Sequence, residues 1–489
     1  MVEILLKYGV AVHVAVLIIY ASWARGGSAP AFFWAIPWLA FGILEMIFLL
    51  PVTYAGETMS AAMQRIRGRI VRDPIFYVGL LLLAFLLLQW LNGPRELIYS
   101  TVHTAWEYTP PPWPGLPFCV VRSEASQVLI WALGVVAILL AMRHGMRGTA
   151  RRWLLQVVVY NGAILAAVGL LHQATGTDKL FWIRPIGTFF FSTFGYPNHA
   201  SAYFTLLTAI NIGLLIETLG GEKQESASTY WLLVAFALNL MGVVFSLGRA
   251  GMVLTFGILV VAVAYGIPYL WGRLTVATKA RLGIMLGGLV LFTAFFFVTV
   301  PDNPIARELK TINLLKLHEQ LQGDRAELAR SALDIWQDHP WAGTGGWGFR
   351  RFVALYMGPD RYEYLRAAGR ANVHNDAIQY LCEHGAIGAT LILTLILTLI
   401  GQTLYRLTRM PRLLERGSMA PRSWFASVSP VVWFILLGTT ATVIHSVIDL
   451  PFRSMAIISV WFTALAAAPG LIPDNDRVKP AKKKKSSRS

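Results

Sequence analysis

The residues best suited to chemistry begin at Asn372-Val373-His374-Asn375-Asp376, followed by Gln379, Glu383, His384 and Gly385. On a helix, Asn375, Gln379 and Glu383 recur at i, i+4 and i+8 and share one face. His374 stands at the N-terminal end of that face. An imidazole changes charge near neutral pH, so His374 could act as a general base; a lone His can equally be a satisfied structural group. Arg249 is the sharpest single residue. From Tyr230 to Trp271 no other side chain is charged, and a charge at mid-bilayer is costly. A hairpin avoids the cost if its tip, Ser246-Leu247-Gly248-Arg249-Ala250-Gly251, lies at an interface, with small residues allowing a tight turn. Two readings of Arg249 follow: a snorkelling anchor, or a guanidinium fork that grips an anion such as phosphate. His445 and Asp449 form a third group, followed by Pro451 and Arg453. They either orient a catalytic group or satisfy each other. Arg325, Arg330, Arg350, Arg351, Arg361, Arg366 and Arg370 form a fourth. Most of these read as solvated surface, with a few available for phosphate.

Other patterns fail. Gly343 to Gly348 is no P-loop, because no Gly-Lys-Ser/Thr follows. His339 and His374 lack zinc-ligand spacing. Asp474-Asn475-Asp476 resembles a metal-binding triplet but lies on a tail remote from the other candidates. No metal and no cofactor is expected. Cys119 and Cys382 match no metal site, and their spacing leaves pairing open.

These groups are embedded in an apolar chain. Of 489 residues, 56% are hydrophobic and only 14% charged, and the mean hydropathy is +0.55. Soluble domains carry about 25% charge, so the composition indicates an all-α polytopic membrane protein. Seventeen Trp and seventeen Tyr suit two interfacial belts. The net charge of +16 could suggest nucleic acid, but most basic residues sort into short loops beside apolar runs, as the positive-inside rule requires. No nucleic acid partner is expected. The first apolar run, near Leu5, lacks a small-residue cleavage site and reads as a retained helix.

A span needs about 20 mostly apolar residues. Twelve candidates lie near 5–22, 30–51, 74–91, 126–142, 153–172, 199–216, 230–247, 251–270, 282–300, 387–405, 428–446 and 453–471. An even number puts both termini on one side. That side receives Arg65, Arg67, Arg69, Arg72, Arg143, Arg147, Arg151, Arg152, Arg273, Lys279, Arg281, Arg406, Arg409, Arg412, Arg416 and Arg422, and the tail with Lys482 to Lys485. It should be the cytoplasm; only Lys223 supports the 218–229 loop. The predicted organisation is helices 1–9 over 1–300, a large, mostly helical periplasmic loop over 301–386, helices 10–12 over 387–472, and a basic cytoplasmic tail over 473–489 that is drawn to anionic membrane lipids. The outer loop near 92–125 holds Pro110, Pro111, Pro112, Trp113 and Pro114 and should be extended.

The long loop carries ten Lys or Arg on the side that should be poor in them, which points to function. Within it, Asp324 to Asp338 reads as an amphipathic helix with Asp324 as N-cap and Glu327 beyond it. His339-Pro340 ends it, and Gly343 to Gly348 reads as a flexible turn. A second helix is predicted from about Asn375 into the tenth span. The loop should fold and lie against the membrane like a lid.

Four segments together resemble the superfamily of O-antigen ligases and polymerases, bacterial envelope glycosyltransferases, over about Gly187 to Trp461. Phe194-Gly195-Tyr196-Pro197-Asn198-His199-Ala200 is similar to that family's NPN segment. Ser246 to Gly251 is similar to its Ser-Arg-Gly hairpin, with Arg249 on its arginine. His339-Pro340-Trp341-Ala342-Gly343-Thr344-Gly345 is similar to HPxxGxG, and His374-Asn375 through Glu383-His384-Gly385-Ala386-Ile387-Gly388 to HNxxLxxxxExGxxG. Gly248 departs from the family's frequent Ser, and Ile378 from its Leu. The resemblance implies transfer of a glycan from undecaprenyl pyrophosphate to an acceptor, lipid A-core by preference, at the periplasmic face of the bacterial inner membrane, without nucleotide sugar or metal. It implies that Arg249 binds the donor pyrophosphate and His374 activates the acceptor. Arg325 would assist with phosphate or glycan, and Asn375, Glu383, His445 and Asp449 would bind substrate or orient neighbours. A polymerase or a protein O-glycosyltransferase would share these motifs. A transporter of lipid-linked sugar is the alternative of another class, but it should place ionisable residues mid-span in paired inverted halves.

Overall fold

The computed structural model describes residues 2–27, 34–54, 56–94, 97–100, 105–185, 190–221, 226–276, 278–280, 283, 287, 323–358, 360, 361, 363, 372–409 and 428–472. The protein is an all-α polytopic membrane protein. Its helices are α1 (Val2–Trp23), α2 (Ala35–Leu49), α3 (Met59–Val71), α4 (Pro74–Leu91), α5 (Arg122–Leu140), α6 (Gly148–Ala174), α7 (Pro197–Leu219), α8 (Ala227–Phe245), α9 (Arg249–Leu270), α10 (Asp324–Asp338), α11 (Phe349–Met357), α12 (Asp376–Arg409), α13 (Pro430–Ile448) and α14 (Met455–Leu471). Among the described residues, eight helices are long and apolar enough to cross a membrane, and three shorter apolar ones fall on the expected first, second and last spans. The expected span at 282–300 and the tail from 473 lie outside the described residues, apart from 283 and 287.

Proline marks where several spans begin. α4, α7 and α13 each open with Pro at the first helical position, where its fixed φ suits the helix and its missing N–H costs nothing. Asp73 caps α4, its carboxylate accepting from Ile75 N at 3.1 Å. α3 lies outside the set of spans: Ala62, Ile66 and Ile70 bury one stripe while its arginines lie elsewhere on the helix, the pattern of an interfacial helix.

α7 is the centre of the bundle, packed by α8, α9, α13 and α14. Of its most apolar window, 83% is buried. At one end of the bundle, arginines tie helix termini together. Arg143 Nε meets Asp73 at 2.5 Å, Arg152 Nε meets Glu217 at 2.9 Å, and Arg406 donates to Pro469 O at 2.8 Å. These are cations that the charge pattern assigns to one side.

The opposite end carries the loops. The described part of the long loop is folded, with its own small core of Leu328, Ala332, Ile335, Phe349, Val353, Val373 and Cys382. α10 has the predicted bounds but not the predicted cap: Gly323 precedes it, and no side chain among the described residues caps it. Asp324 and Glu327 instead each accept from Arg361 NH2 at 2.7 Å, because a guanidinium offers charge-assisted bonds stronger than one backbone amide. Glycine 343 to 348 is no flexible turn. Residues 343–349 are buried, and Thr344 N and Gly345 N donate to Cys382 O and Glu383 O at 3.2 and 2.7 Å. Beyond them, Ala386 N and Ile387 N donate to Pro340 O and Trp341 O at 2.8 and 3.0 Å. The turn fits because α12 breaks at Gly385, with φ 60° and ψ −170°. The 92–125 loop contains an unforeseen hairpin, β1 (Leu97–Ser100) with β2 (Ala105–Tyr108). Asn92 Nδ2 then secures the Pro-rich stretch, donating to Trp113 O at 2.9 Å and Pro117 O at 3.1 Å. A second short hairpin pairs β3 (Lys179–Leu180) with β4 (Arg184–Pro185). Cys119 and Cys382 are both free and buried.

A Cβ on Gly385 would lie 2.4 Å from the Trp341 carbonyl, in a left-handed backbone conformation. Gly385→Ala should therefore lower the melting temperature of the detergent-solubilised protein by well over what strain alone, about 1–3 kcal/mol, would produce. Gly257→Ala, where a Cβ meets nothing within 4 Å among the described residues, should leave it unchanged or raised.

Candidate functional site

Asp449 follows the last residue of α13 and is 2% exposed. Its carboxylate accepts from Tyr196 Oη at 2.8 Å, from Leu450 N at 2.8 Å and from Asn198 Nδ2. His374 Nδ1 stands 3.6 Å from Asp449 Oδ1. That nitrogen is buried and has no hydrogen-bond partner among the described residues. The distance is slightly long for a hydrogen bond, and catalytic bonds often tighten only when substrate binds. With Nδ1 turned to the carboxylate, Nε2 is the nitrogen available to take a proton. Burial would push the Asp449 carboxyl up. The nearby charges of His374 and His445 and the Tyr196 hydroxyl outweigh it and hold Asp449 well below the usual carboxylate range. Burial, then the Asp449 charge, pushes the Tyr196 phenol up, so it remains a donor.

The backbone at His374 is strained, with φ 54°, an uncommon conformation for a side chain of that size. Such strain persists only where surrounding contacts impose it, and it clusters at functional sites.

Arg325, near the start of α10, donates from NH1 to Ile448 O at 2.8 Å, one residue before Asp449. Asn375 caps α12: Oδ1 accepts from Ile378 N at 3.1 Å, and Nδ2 donates to Val447 O at 3.0 Å. Thus the last turn of α13 receives both Arg325 and Asn375. His445, one turn earlier, is 1% exposed, and both ring nitrogens lack a hydrogen-bond partner among the described residues. His199 Nε2 is 2.8 Å from Leu450 O.

Arg249 is the first residue of α9 and is exposed. The hairpin predicted from its charge is present, with α8 ending at Phe245 and α9 beginning at Arg249. Thr205 Oγ1 is 2.8 Å from Thr255 Oγ1 and donates to Gly251 O at 3.2 Å, fastening α9 to α7. Gly248 explains its own identity: a Cβ there would sit 2.1 Å from Ser201 Oγ and 3.2 Å from Asn198 Oδ1. The departure from Ser is what lets the Arg249 turn lie against the residue that holds Asp449.

Glu383 is fully buried. Gln379 Nε2 donates to it at 2.9 Å, and Arg453 NH1 meets its other oxygen at 2.7 Å. In this arrangement its carboxylate is spent on internal partners, and removing one side of such a buried pair costs about 3–5 kcal/mol. Of the expected helical face, Gln379 and Glu383 therefore point inward to fold the site, while Asn375 precedes the helix as its cap. Among the other loop cations, Arg350 stacks on Trp347 at 4.1 Å and donates to Asn372 at 2.9 Å, and Arg351 meets Glu124 at 3.0 Å. Arg366 and Arg370 lie outside the described residues. No group of three His, Cys, Asp or Glu among the described residues is placed to hold a metal ion. An apolar groove of about 750 Å³ between α9 and α13, lined by Val261, Tyr265, Phe434 and Leu437 among others, lies toward the other end of the bundle and is not the reaction site.

Tyr196, Asn198 and Arg453 were not among the residues singled out for a role. Tyr196 and Asn198 flank Pro197 at the mouth of α7, so the available signals were two polar side chains at a proline-started span and the similarity of that segment to the NPN motif.

The fold and site define a polytopic membrane protein with a His–Asp pair and two arginines at the loop-bearing end of its bundle. Residues 234–393, about a third of the chain, match the family model described as O-Antigen ligase, which supports the O-antigen ligase superfamily for that segment. The matched segment takes in Arg249, Arg325, His374 and Glu383, whereas Tyr196, His445, Asp449 and Arg453 lie outside it. No curated protein matches the chain.

Gly248→Ala should lower the melting temperature by displacing the α8–α9 turn. Ser201→Gly, which removes the Oγ and Cβ that the new methyl would strike, should restore most of the loss in the double variant. Absence of any recovery would mean that the close approach of α9 to α7 is not what requires glycine.

Proposed function

We propose that this protein moves a glycan from a polyprenyl pyrophosphate, by family resemblance undecaprenyl pyrophosphate, to an acceptor hydroxyl at the periplasmic face of the bacterial inner membrane, with both termini cytoplasmic. Lipid A-core is the favoured acceptor. The observation that carries the reading is the convergence of His374, Asp449 and Arg325 on the end of α13, with the Arg249 turn packed against Asn198, a ligand of Asp449.

In this reaction the acceptor oxygen attacks the anomeric carbon, and the bond from that carbon to the pyrophosphate oxygen breaks. His374 Nε2 takes the hydroxyl proton, and Asp449 stabilises the imidazolium that results. The leaving pyrophosphate gains negative charge. Arg249 and Arg325 stabilise it in the transition state, because preorganised cations act where charge develops. Arg249 also suits a donor anchored in the bilayer, since it opens a helix whose sides carry exposed Val253, Phe256 and Val260. Asn375 and Glu383 hold the His374 segment in place, and His445 lies behind Asp449. The pyrophosphate itself is the activating group, so the scheme uses no nucleotide sugar, metal or cofactor.

The test is a reconstituted assay of purified protein with undecaprenyl-pyrophosphate-linked repeat units, with and without lipid A-core, and products resolved by gel and mass. Glycan on lipid A-core is the expected product. Longer lipid-linked chains formed without core would make the protein a polymerase, and no product with native donor would defeat the reading. In the same assay His374→Ala should lower kcat by about 100-fold or more, the usual size of a general base contribution. Arg249→Lys keeps the charge but loses the fork. Turnover at the wild-type rate by that variant would remove the bidentate role.

A further inference from the structure

Asp449 and Arg453 stand at the two ends of the short connection between α13 and α14, which includes a 3-10 turn over Pro451–Arg453. Arg453 is 2% exposed although it is charged. Its guanidinium lies 4.7 Å from the Trp347 ring and 4.6 Å from the Tyr380 ring. NH1 meets Glu383 Oε2 at 2.7 Å, and Nε stands 3.7 Å from Asp376 Oδ1. Beside it, Phe452 N donates to Asp376 Oδ2 at 2.8 Å, and Tyr380 Oη donates to Phe452 O at 3.2 Å. One connection thus grips the first turns of α12 through Asp376, Tyr380 and Glu383, while its other end faces His374, two residues before that helix.

We propose that Arg453 is a positioning residue of the site: its clamp on Glu383, Asp376, Trp347 and Tyr380 fixes the segment bearing His374 at the distance from Asp449 that proton transfer requires. This rests on the reading of His374 as the base. The physical need is clear from the backbone. His374 occupies a left-handed conformation that a free segment would abandon, and its own contact with Asp449 is a single 3.6 Å approach. The restraint must come from outside the pair. Arg453 supplies it, because a planar guanidinium held between two rings and two carboxylates cannot shift without breaking several contacts together.

The test compares the full-length wild type with the double variant Arg453→Gln, Glu383→Gln, which removes both charges of the ion pair and keeps groups able to hydrogen-bond. Two readouts are taken: glycan transfer from the undecaprenyl-pyrophosphate donor, and amide exchange of the peptide covering 372–380. The expected result is a folded variant whose kcat falls about tenfold or more with donor KM nearly unchanged, and whose 375–380 amides exchange faster because the first turn of α12 opens locally. A folded variant with wild-type kcat, or with wild-type exchange at 375–380, would overturn the assignment. If the wild type itself transfers no glycan, the proposed function falls, and exchange alone decides whether Arg453 restrains this segment. Should the double variant not fold, Arg453→Lys takes its place: lowered kcat with KM held supports the assignment, and unchanged kcat overturns it.

Discussion

A buried carboxylate governs the loop-bearing end of this protein. Asp449 is almost wholly removed from solvent, and an ionised group in such a place is tolerated only when partners replace the water it has lost. The partners come from three distant parts of the chain. Tyr196 and Asn198 arrive from the start of α7, His374 from the start of α12, and Leu450 N from its own turn. Satisfying one anion therefore brings three helix termini together. The same constraint explains why the phenol of Tyr196 is held in its donating form, and why Gly248 leaves room for α9 beside Asn198 and Ser201.

The folded part of the long loop is joined to the spans by backbone, not only by side chains. The break at Gly385 exposes carbonyl and amide groups that an unbroken helix would have consumed. The segment from Pro340 to Gly345 takes them up with four hydrogen bonds. Gln89 on α4 adds a further tie, donating to Ala342 O at 2.7 Å. Two glycines of this segment approach other backbone too closely for any side chain: a Cβ on Gly343 would lie 2.4 Å from Glu383, and one on Gly345 2.4 Å from Cys119. Segments that resemble family motifs thus have different physical work. The His-Asn element offers chemistry, and the His-Pro-Gly element supports the helix break behind it.

Much of this was legible beforehand because it depends on local properties. Apolar run length marks the spans, and the lone charge of Arg249 requires an interfacial turn there. The 324–338 periodicity marks α10, and His374 with its polar neighbours marks the candidate site. What misled was polarity read without partners. Asp324 looks like a cap until Arg361 competes for it. Glu383 looks available for substrate until Arg453 is found against it. The glycines of 343–348 look flexible until the α12 backbone is seen to pin them.

The sequence by itself determined the class of protein, most of the helix boundaries, and which segments carry ionisable groups worth examining. Those follow from hydropathy and spacing, properties held within about 20 residues of chain. Only the tertiary structure decided which groups face one another. The approach of His374 to Asp449 spans 75 positions, the bond from Asn198 to Asp449 spans 251, and that from Arg453 to Glu383 spans 70. Charge compensation in a water-poor interior acts through distance in space, which no local pattern encodes.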